Sequence, residues 1–322
     1  MDGGRSQWLD NAKGVLMILV IWGHLIERLA LTNAIGAWAY GAIYLFHIPA
    51  FAMVSGMVSR AELGWRRGAG LARKLLVPLL LFQGVYLIAL ERLAPHKVGD
   101  MLEPHWLLWF LLSLFLWRLM LPVFAGLRFP VAMAVGIALA AGFVDAIDKT
   151  LSLSRTFVFF PAFLIGHVYR QEIRAIAARP VWGSAIFFAV LACAAGYWLA
   201  NGADIAPFYG SRPYSNWSDP LLAGAAQRLV AMGAGIVAAV GFLTLIPRQA
   251  GVLNALRRWT MPVFLLHGLL VLLFWAATPP GAFAFGAAFV VLAGVLAVLI
   301  AFGLAGAMAV AMPSRAAPGL SR

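Results

Sequence analysis

The chain has 322 residues, of which 63% are hydrophobic and only 11% are charged, whereas soluble domains average about 45–50% apolar and about 25% charged residues. So much apolar surface excludes an ordinary soluble enzyme and indicates an integral membrane protein. The formal net charge of +12 would suit a nucleic-acid partner, but the basic residues lie in short clusters between apolar runs, so no nucleic acid is expected and the predicted surroundings are a lipid bilayer.

About ten apolar runs approach the ~20 residues that cross the hydrocarbon core of a bilayer. No internal repeat and no long linker interrupts them. The sequence therefore predicts an all-α integral membrane fold, a bundle of about ten transmembrane helices that forms a single domain over residues 1–322 with no appended soluble domain. The predicted spans lie near residues 13–31, 38–58, 74–92, 106–125, 129–146, 155–171, 181–200, 222–246, 259–278 and 282–311.

Lysine and arginine are distributed unevenly among the connections between these runs. If the N-terminus is cytoplasmic, most of the 24 basic residues fall on the inner side, which is the usual bias of membrane proteins. The bias predicts an even number of spans, both termini in the cytoplasm, and a multi-pass protein of the cell (inner or plasma) membrane. The largest inner group comprises Arg60, Arg66, Arg67, Arg73 and Lys74.

Four ionisable residues lie along one helical stripe of the first span and the turn that precedes it: Asp10, Lys13, His24 and Glu27. Lys13 and His24 share one face of an α-helix, about 20° apart in rotation and about 16 Å apart along its axis. Asp10 lies about one helical turn before Lys13, and Glu27 lies about one turn after His24. Because ionisable groups are costly inside a bilayer, the stripe predicts a polar path through the bundle. The alternative is a snorkelling Lys13 and a buried, structural His24.

The run Leu9–Gly14, followed by Gly23 and His24, resembles the opening of membrane acyltransferases of the acyltransferase-3 type, especially the fucose 4-O-acetylase-like branch. The motif of that family is a basic residue, ten intervening residues and a histidine. The basic residue is usually arginine. Lys13 offers a point charge in place of the fork that arginine presents to a phosphate or carboxylate.

Further segments resemble the family in order and spacing, and together they cover nearly the whole chain. Ten spans is also the usual number for the family. The segments are Phe46–Phe51 with Ser55-Gly56, Trp106–Leu111 with Trp117-Arg118, Arg155–Gly166, and Pro262–His267.

The resemblance implies an O-acyltransferase that moves an acyl group, commonly acetyl, from cytoplasmic acyl-CoA to a hydroxyl of a sugar or surface glycan. His24 is the expected general base, because a histidine can accept the hydroxyl proton near neutral pH. Lys13, Asp10 and Glu27 complete the predicted catalytic set. Acyl-CoA enters as a co-substrate and no permanently bound cofactor is expected. The single Cys193 and the lack of Cys/His spacing predict no metal site.

Other side chains are expected to bind the donor or the acceptor. His47, Trp109, Arg155 and His267 belong to the family-like segments. Arg66 and Arg67 suit the phosphates of CoA, although the same charges also serve to set topology. Ser55, like Ser113, leaves a covalent acyl-enzyme route open, although serines in membrane helices also bond their own backbone.

The longest predicted outer loop, residues 201–221, contains Phe208, Tyr209, Arg212, Tyr214 and Trp217. Aromatic rings with a few polar groups suit the faces of sugars, and they equally suit an aromatic belt at the membrane surface.

A polytopic secondary transporter of a small solute is the alternative function. Ten spans and buried ionisable groups would suit it, but the two halves of the sequence show no matching pair of broken helices. Consumption of acyl-CoA distinguishes the two.

Overall fold

The computed structural model describes residues 7–100, 102–201 and 205–312, and within them the chain is helical and contains no strand. Residues 1–6 and 313–322, to which the prediction of cytoplasmic termini refers, lie outside the described residues. The helices are α1 (Gln7–Ala30), α2 (Ala34–Met57), α3 (Trp65–Leu93), α4 (Trp109–Ala125), α5 (Pro130–Ala140), α6 (Leu153–Val168), α7 (Arg170–Ala177), α8 (Pro180–Asn201), α9 (Ala206–Tyr209), α10 (Leu221–Thr244), α11 (Thr260–Ala277) and α12 (Gly286–Ala311).

Nine helical segments in the described part of the chain are long and apolar enough to cross a membrane. This confirms the predicted all-α membrane bundle. The predicted span at 129–146 is shorter than expected, because α5 has 11 residues and continues only as a 3₁₀ turn over Ala141–Phe143. The helix ends where the chain becomes extended at Val144, just before the polar turn that contains Asp145, Asp148 and Lys149.

The first two helices form an antiparallel hairpin at the centre of the bundle. The side chain of Asn33 accepts a hydrogen bond of 2.8 Å from the Gly36 N–H and so caps the start of α2. Helix α1 packs against α2, α11 and α12, while α2 packs against α1, α6 and α10. The ionisable residues of α1 therefore face protein rather than lipid.

We call the end of the bundle where α1 begins the basic face, because Arg60, Arg66 and Arg67 also lie there, and we call the other end the opposite face. Helix α3 begins at Trp65, nine residues before the predicted span at 74–92. Arg66 and Arg67 consequently lie in its first turn.

Apolar side chains such as Leu80 and Ile88 of α3 point away from the bundle, as lipid contact requires.

Helices α2 and α6 approach each other most closely at two glycines. A Cβ atom on Gly56 would meet the carbonyl oxygen of Phe163, and one on Gly166 would meet the carbonyl group of Met53. In the same region His167 Nδ1 lies 3.1 Å from the carbonyl oxygen of Ser59. Small residues at both crossing points let the two backbones touch, which is the usual way helices associate in membranes.

Replacing Gly56 with alanine should therefore destabilise the protein, because the new methyl group meets rigid backbone. We expect a loss of about 1–3 kcal/mol, the usual cost of overpacking, seen as a lower midpoint of thermal unfolding in detergent. Gly70→Ala is the matched control, since Gly70 lies in α3 with open space around it. Equal midpoints for the two variants would contradict the proposed contact.

Candidate active site

A cavity of about 110 Å³ lies in the middle of the bundle, bounded by side chains of α1, α2, α4, α6 and α11. Five residues that the sequence predicts for the site, His24, Glu27, His47, Trp109 and Arg155, line this one cavity. They come from four helices, so the fold gathers residues that are up to about 130 positions apart in the chain. The other polar or aromatic groups around the cavity are Tyr40, Tyr44, Phe51, Trp106, Phe110, Phe159, Phe208, Tyr209 and Phe264.

His24 is paired with a carboxylate. Its Nδ1 lies 3.4 Å from Glu27 Oε2, one helical turn further along α1. A carboxylate at Nδ1 favours the tautomer that carries its proton there, which leaves Nε2 as the basic nitrogen. The Trp106 ring packs edge-on against the imidazole at a centroid distance of 4.7 Å. His24 is therefore oriented by a carboxylate and held by an aromatic ring, as a general base should be.

Two further histidines surround His24 but have different partners. His47 Nδ1 lies 2.8 Å from the carbonyl oxygen of Ile43, and His267 Nδ1 lies 2.7 Å from that of Phe264. Each ring thus uses one nitrogen to bond its own helix. His47 lines the cavity, whereas His267 is fully buried behind His24, with the two rings stacked at 5.7 Å. Of the three, His24 is the one with a carboxylate partner in the described structure.

Arg155 connects the cavity to the opposite face. Its guanidinium lies 4.8 Å from the centre of the Trp109 ring, and its Nε donates a hydrogen bond of 3.4 Å to the carbonyl oxygen of Tyr209. The Tyr209 hydroxyl in turn donates to that of Tyr40 at 3.0 Å. Burial raises the pKa of Tyr209, so this hydroxyl stays a neutral hydrogen-bonding group near neutral pH. These contacts give the cavity one positive side chain in a fixed position.

An apolar floor closes the cavity toward the basic face. Phe51, Phe110 and Phe264 each lie one turn closer to that face than His47, Trp106 and His267, respectively. The ring of Phe110 touches both others, at centroid distances of 5.5 Å to Phe51 and 6.1 Å to Phe264. The floor separates the ionisable groups around His24 from the basic face.

Toward the opposite face the cavity continues into a wider vestibule of about 580 Å³. Glu27, Trp106, Trp109, Arg155 and Tyr209 line both spaces. His24 therefore communicates with the opposite face through the vestibule. The outer wall of the vestibule includes His96, Glu103, Lys149, Arg212, Asn216 and Trp217.

A family model described as an acyltransferase domain, acyltransferase-3, matches residues 6–306. The chain belongs to this acyltransferase family. The match confirms the acyltransferase-3 family that the motifs predict, and with the nine long apolar helices of the described residues it indicates a multi-pass membrane protein.

Two curated relatives share part of the sequence. Nodulation protein NolL of Sinorhizobium fredii is 28% identical over 187 residues, which covers 52% of this chain and 50% of that protein. NolL of Mesorhizobium japonicum is 26% identical over 187 residues, covering 52% of this chain and 49% of that protein. The chain spans about half the length of these relatives. No solved structure matches it.

Lys13 and Asp10 lie at the other end of α1, outside the cavity. The Asp10 carboxylate is buried, 3.9 Å from Lys13 Nζ and 3.5 Å from Arg257 Nε. Lys13 lies on the predicted stripe with His24, but the helical rise separates the two positions by about 16 Å along the axis of α1. Lys13 and Asp10 are therefore not among the described residues that line the cavity around His24.

Three other predicted binding residues also lie apart from the cavity. Arg66 and Arg67 line a separate depression of about 400 Å³ on the basic face, where Arg67 pairs with Glu62 at 3.1 Å. Ser55 is buried in α2, and its carbonyl oxygen accepts a hydrogen bond from the Ser59 hydroxyl at 2.7 Å. The hydroxyl of Ser113 pairs with that of Thr156. Neither serine reaches the space beside His24.

Tyr40 and Tyr44 line the cavity but were not among the predicted site residues. Their signal was present, because Tyr40, Tyr44, His47 and Phe51 recur at helical spacing along one face of α2. Trp106 belongs to the family-like segment Trp106–Leu111, but it is not among the predicted site residues. Its backbone has φ 47°, which is rare for a large side chain and typical of strained functional positions.

Arg228 fixes the loop that forms the outer wall of the vestibule. It is 1% exposed in α10, and its guanidinium lies 4.4 Å from the centre of the Tyr214 ring. It donates hydrogen bonds to the carbonyl oxygens of Arg212 at 2.6 Å and Ala138 at 3.4 Å. The Tyr214 hydroxyl adds a bond to the carbonyl oxygen of Leu139 at 3.0 Å. The loop is thereby attached to α5, which holds Arg212 and Trp217 at the vestibule.

Arg228→Met should release this loop without removing a residue of the cavity. Loss of charge-assisted hydrogen bonds worth about 1.5–3 kcal/mol each should make local opening roughly tenfold or more frequent. Chymotrypsin should then cut faster after Tyr214 and Trp217, as followed by mass spectrometry. Arg179→Met, at an exposed arginine, is the control. Unchanged cleavage in Arg228→Met would show that the loop is held by other contacts.

Proposed function

We propose that the chain is a membrane O-acyltransferase of the fucose 4-O-acetylase-like branch of its family. It moves an acyl group, acetyl as the first choice, from cytoplasmic acyl-CoA to a hydroxyl of a sugar or surface glycan. The observation that carries the proposal is the His24–Glu27 pair, which lies in a cavity that opens through the vestibule to the opposite face. Such a cavity suits an acceptor that arrives from the side away from the donor.

The proposed chemistry is a direct transfer. The acceptor hydroxyl gives its proton to His24 Nε2 as its oxygen attacks the thioester carbonyl. The carbon–sulfur bond then breaks, and the imidazolium returns the proton to the leaving thiolate to give CoA. Glu27 holds the Nδ1 proton and balances the imidazolium charge, and Arg155 stabilises the negative oxygen of the tetrahedral intermediate. General base catalysis of this kind contributes about 10²–10⁴ in rate.

The make-up of the cavity supports direct transfer over a covalent acyl-serine. The described residues that line it include no serine, threonine or cysteine. Ser55 lies elsewhere in α2, and Ser113 is bonded to Thr156. Donor and acceptor would therefore occupy the site together.

We propose that the donor binds from the basic face, which would be the cytoplasmic side of the inner or plasma membrane. Lys13, steadied by Asp10, and the arginines around Arg66 and Arg67 offer positive charge to the phosphates of CoA. Lys13 and His24 are about 16 Å apart along α1, a distance that the extended pantetheine arm can span. The arm would enter between the rings of Phe51, Phe110 and Phe264.

Release of CoA from acetyl-CoA, with an extract of host glycans as acceptor, tests the proposal. The purified wild type should release CoA only when glycan is present. His24→Ala should lower this rate by about 10²–10⁴, because the base is lost. Glu27→Gln should lower it less, since it keeps a hydrogen-bond acceptor at Nδ1 but removes the negative charge.

His167→Gln serves as the matched control, because His167 bonds the Ser59 carbonyl away from the cavity and should retain activity. Glycan-dependent release that persists in His24→Ala would assign the base to another residue, first His47. If no acyl-CoA is consumed while liposomes accumulate a solute, the transporter alternative replaces the enzyme.

A further inference from the structure

Three cations converge on the vestibule: Lys149 from the turn before α6, Arg155 from α6 itself, and Arg212 from the loop after α9. Within the described part of the chain, none of the three forms an ion pair with a carboxylate. They also lie on the face that the positive-inside bias does not enrich. Their presence there needs a reason other than topology.

None of the nearby carboxylates in the described residues forms an ion pair with these cations. Glu27 is directed to His24, and Asp148 Oδ1 accepts a hydrogen bond of 2.7 Å from the Thr150 backbone N–H. Glu103 lines the vestibule, but it is not ion-paired with Lys149 or Arg212. Burial lowers the pKa of Lys149, and the charge of Arg212 lowers it further, against the smaller effects of Glu103 and Asp148. An anion bound between Lys149 and Arg212 would relieve this repulsion.

The same wall offers the surface that a sugar ring requires. Trp217 and Asn216 belong to the loop that contains Arg212, and Trp106 and Tyr209 lie deeper, toward His24. Aromatic faces stack on sugar rings, while amide and guanidinium groups bond their hydroxyl oxygens. Because Arg228 holds this loop through the Arg212 carbonyl group, the wall is formed before any ligand binds.

We propose that the acceptor is an anionic glycan, whose carboxylate or phosphate is bound by Lys149 and Arg212 while a hydroxyl of the same or a neighbouring sugar reaches His24. This inference rests on the proposed function and names its acceptor class. Lysine supplies a mobile point charge and arginine a planar fork, a combination that accepts either a uronate carboxylate or a sugar phosphate. Arg155, deeper in the site, remains available to the reacting thioester.

Binding to three matched probes tests the acceptor class without requiring catalysis. The probes are a neutral gluco-tetrasaccharide, the same chain ending in glucuronate, and the same chain ending in glucose 6-phosphate. They are titrated calorimetrically against His24→Ala in nanodiscs. At least one acidic probe should bind about tenfold more tightly than the neutral probe, as a charge-assisted contact implies. Which acidic probe binds more tightly identifies carboxylate or phosphate as the recognised group.

Lys149→Met and Arg212→Met are each combined with His24→Ala. Each should weaken binding of the acidic probe about tenfold and leave the affinity for the neutral probe unchanged. Lys149→Glu in the same background should bind the neutral probe more tightly than the acidic probes. Arg179→Met should leave the affinity for every probe unchanged. The proposal is overturned if acidic and neutral probes bind equally, if no probe binds, or if the variants weaken all probes alike.

Transfer assays with acetyl-CoA separate this inference from the proposed function. In an otherwise wild-type chain, Lys149→Met should raise KM for the acidic acceptor about tenfold and leave kcat within about twofold. Selective acidic binding without any acetyl transfer would overturn the proposed function and keep the acidic site. Acetyl transfer with equal preference for neutral and acidic acceptors would keep the enzyme and overturn the acidic acceptor.

Discussion

An ionisable pair inside a bilayer imposes the constraint on which this architecture depends. The His24 imidazole and the Glu27 carboxylate cannot face lipid without a large energetic cost, so the helix that carries them has to be enclosed by protein. This is why α1 lies at the centre, against α2, α11 and α12, whereas the outer helices expose apolar side chains. The close contact of α2 with α6 at Gly56 and Gly166 then brings His47 and Arg155 to the same cavity. The site follows from the need to shelter α1.

The site is asymmetric across the membrane because its two ends have different chemistry. Toward the basic face it ends in the apolar rings of Phe51, Phe110 and Phe264. Toward the opposite face it widens into a vestibule lined with polar groups and aromatic rings. Under the proposed function, a donor arm enters between apolar rings and a hydrophilic acceptor enters through the vestibule. A permanent aqueous channel through the bundle would let protons cross the membrane. Under the proposed function, the three phenylalanine rings prevent such a channel while no donor is bound.

The sequence could predict what is local in the chain. Run length and hydropathy identified the spans to within a few residues for most helices, and the spacing of Lys13 and His24 located the polar stripe of α1. The pairing of His24 with Glu27 also follows from their separation of one turn. Tyr40 and Tyr44 could have been found in the same way, since they share the face of α2 that contains His47.

What depends on tertiary contacts could not be predicted. The spacing along α1 cannot show that His267 stacks behind His24, or that Lys13 lies outside the cavity with Asp10 and Arg257. Trp106, Leu151 and Ser152 have positive φ, a left-handed backbone conformation that residues other than glycine rarely adopt. Two of these residues, Trp106 and Ser152, line the vestibule, so local rules fail next to the predicted chemistry.

The described lining of the cavity contains no serine, threonine or cysteine, and this bears on how the His24–Glu27 pair and the vestibule would work together. A covalent acyl-enzyme would let donor and acceptor visit the site at different times, and the vestibule would then only need to admit the acceptor. In a direct transfer both substrates are present together, so the acceptor hydroxyl has to be held against His24 while the thioester arrives through the floor. Holding a flexible glycan requires contacts beyond the reacting hydroxyl, and binding energy from remote groups can be used for that orientation. The cations and aromatic rings of the vestibule are placed to supply those contacts, and two of them, Arg212 and Trp217, lie on the loop that Arg228 attaches to α5.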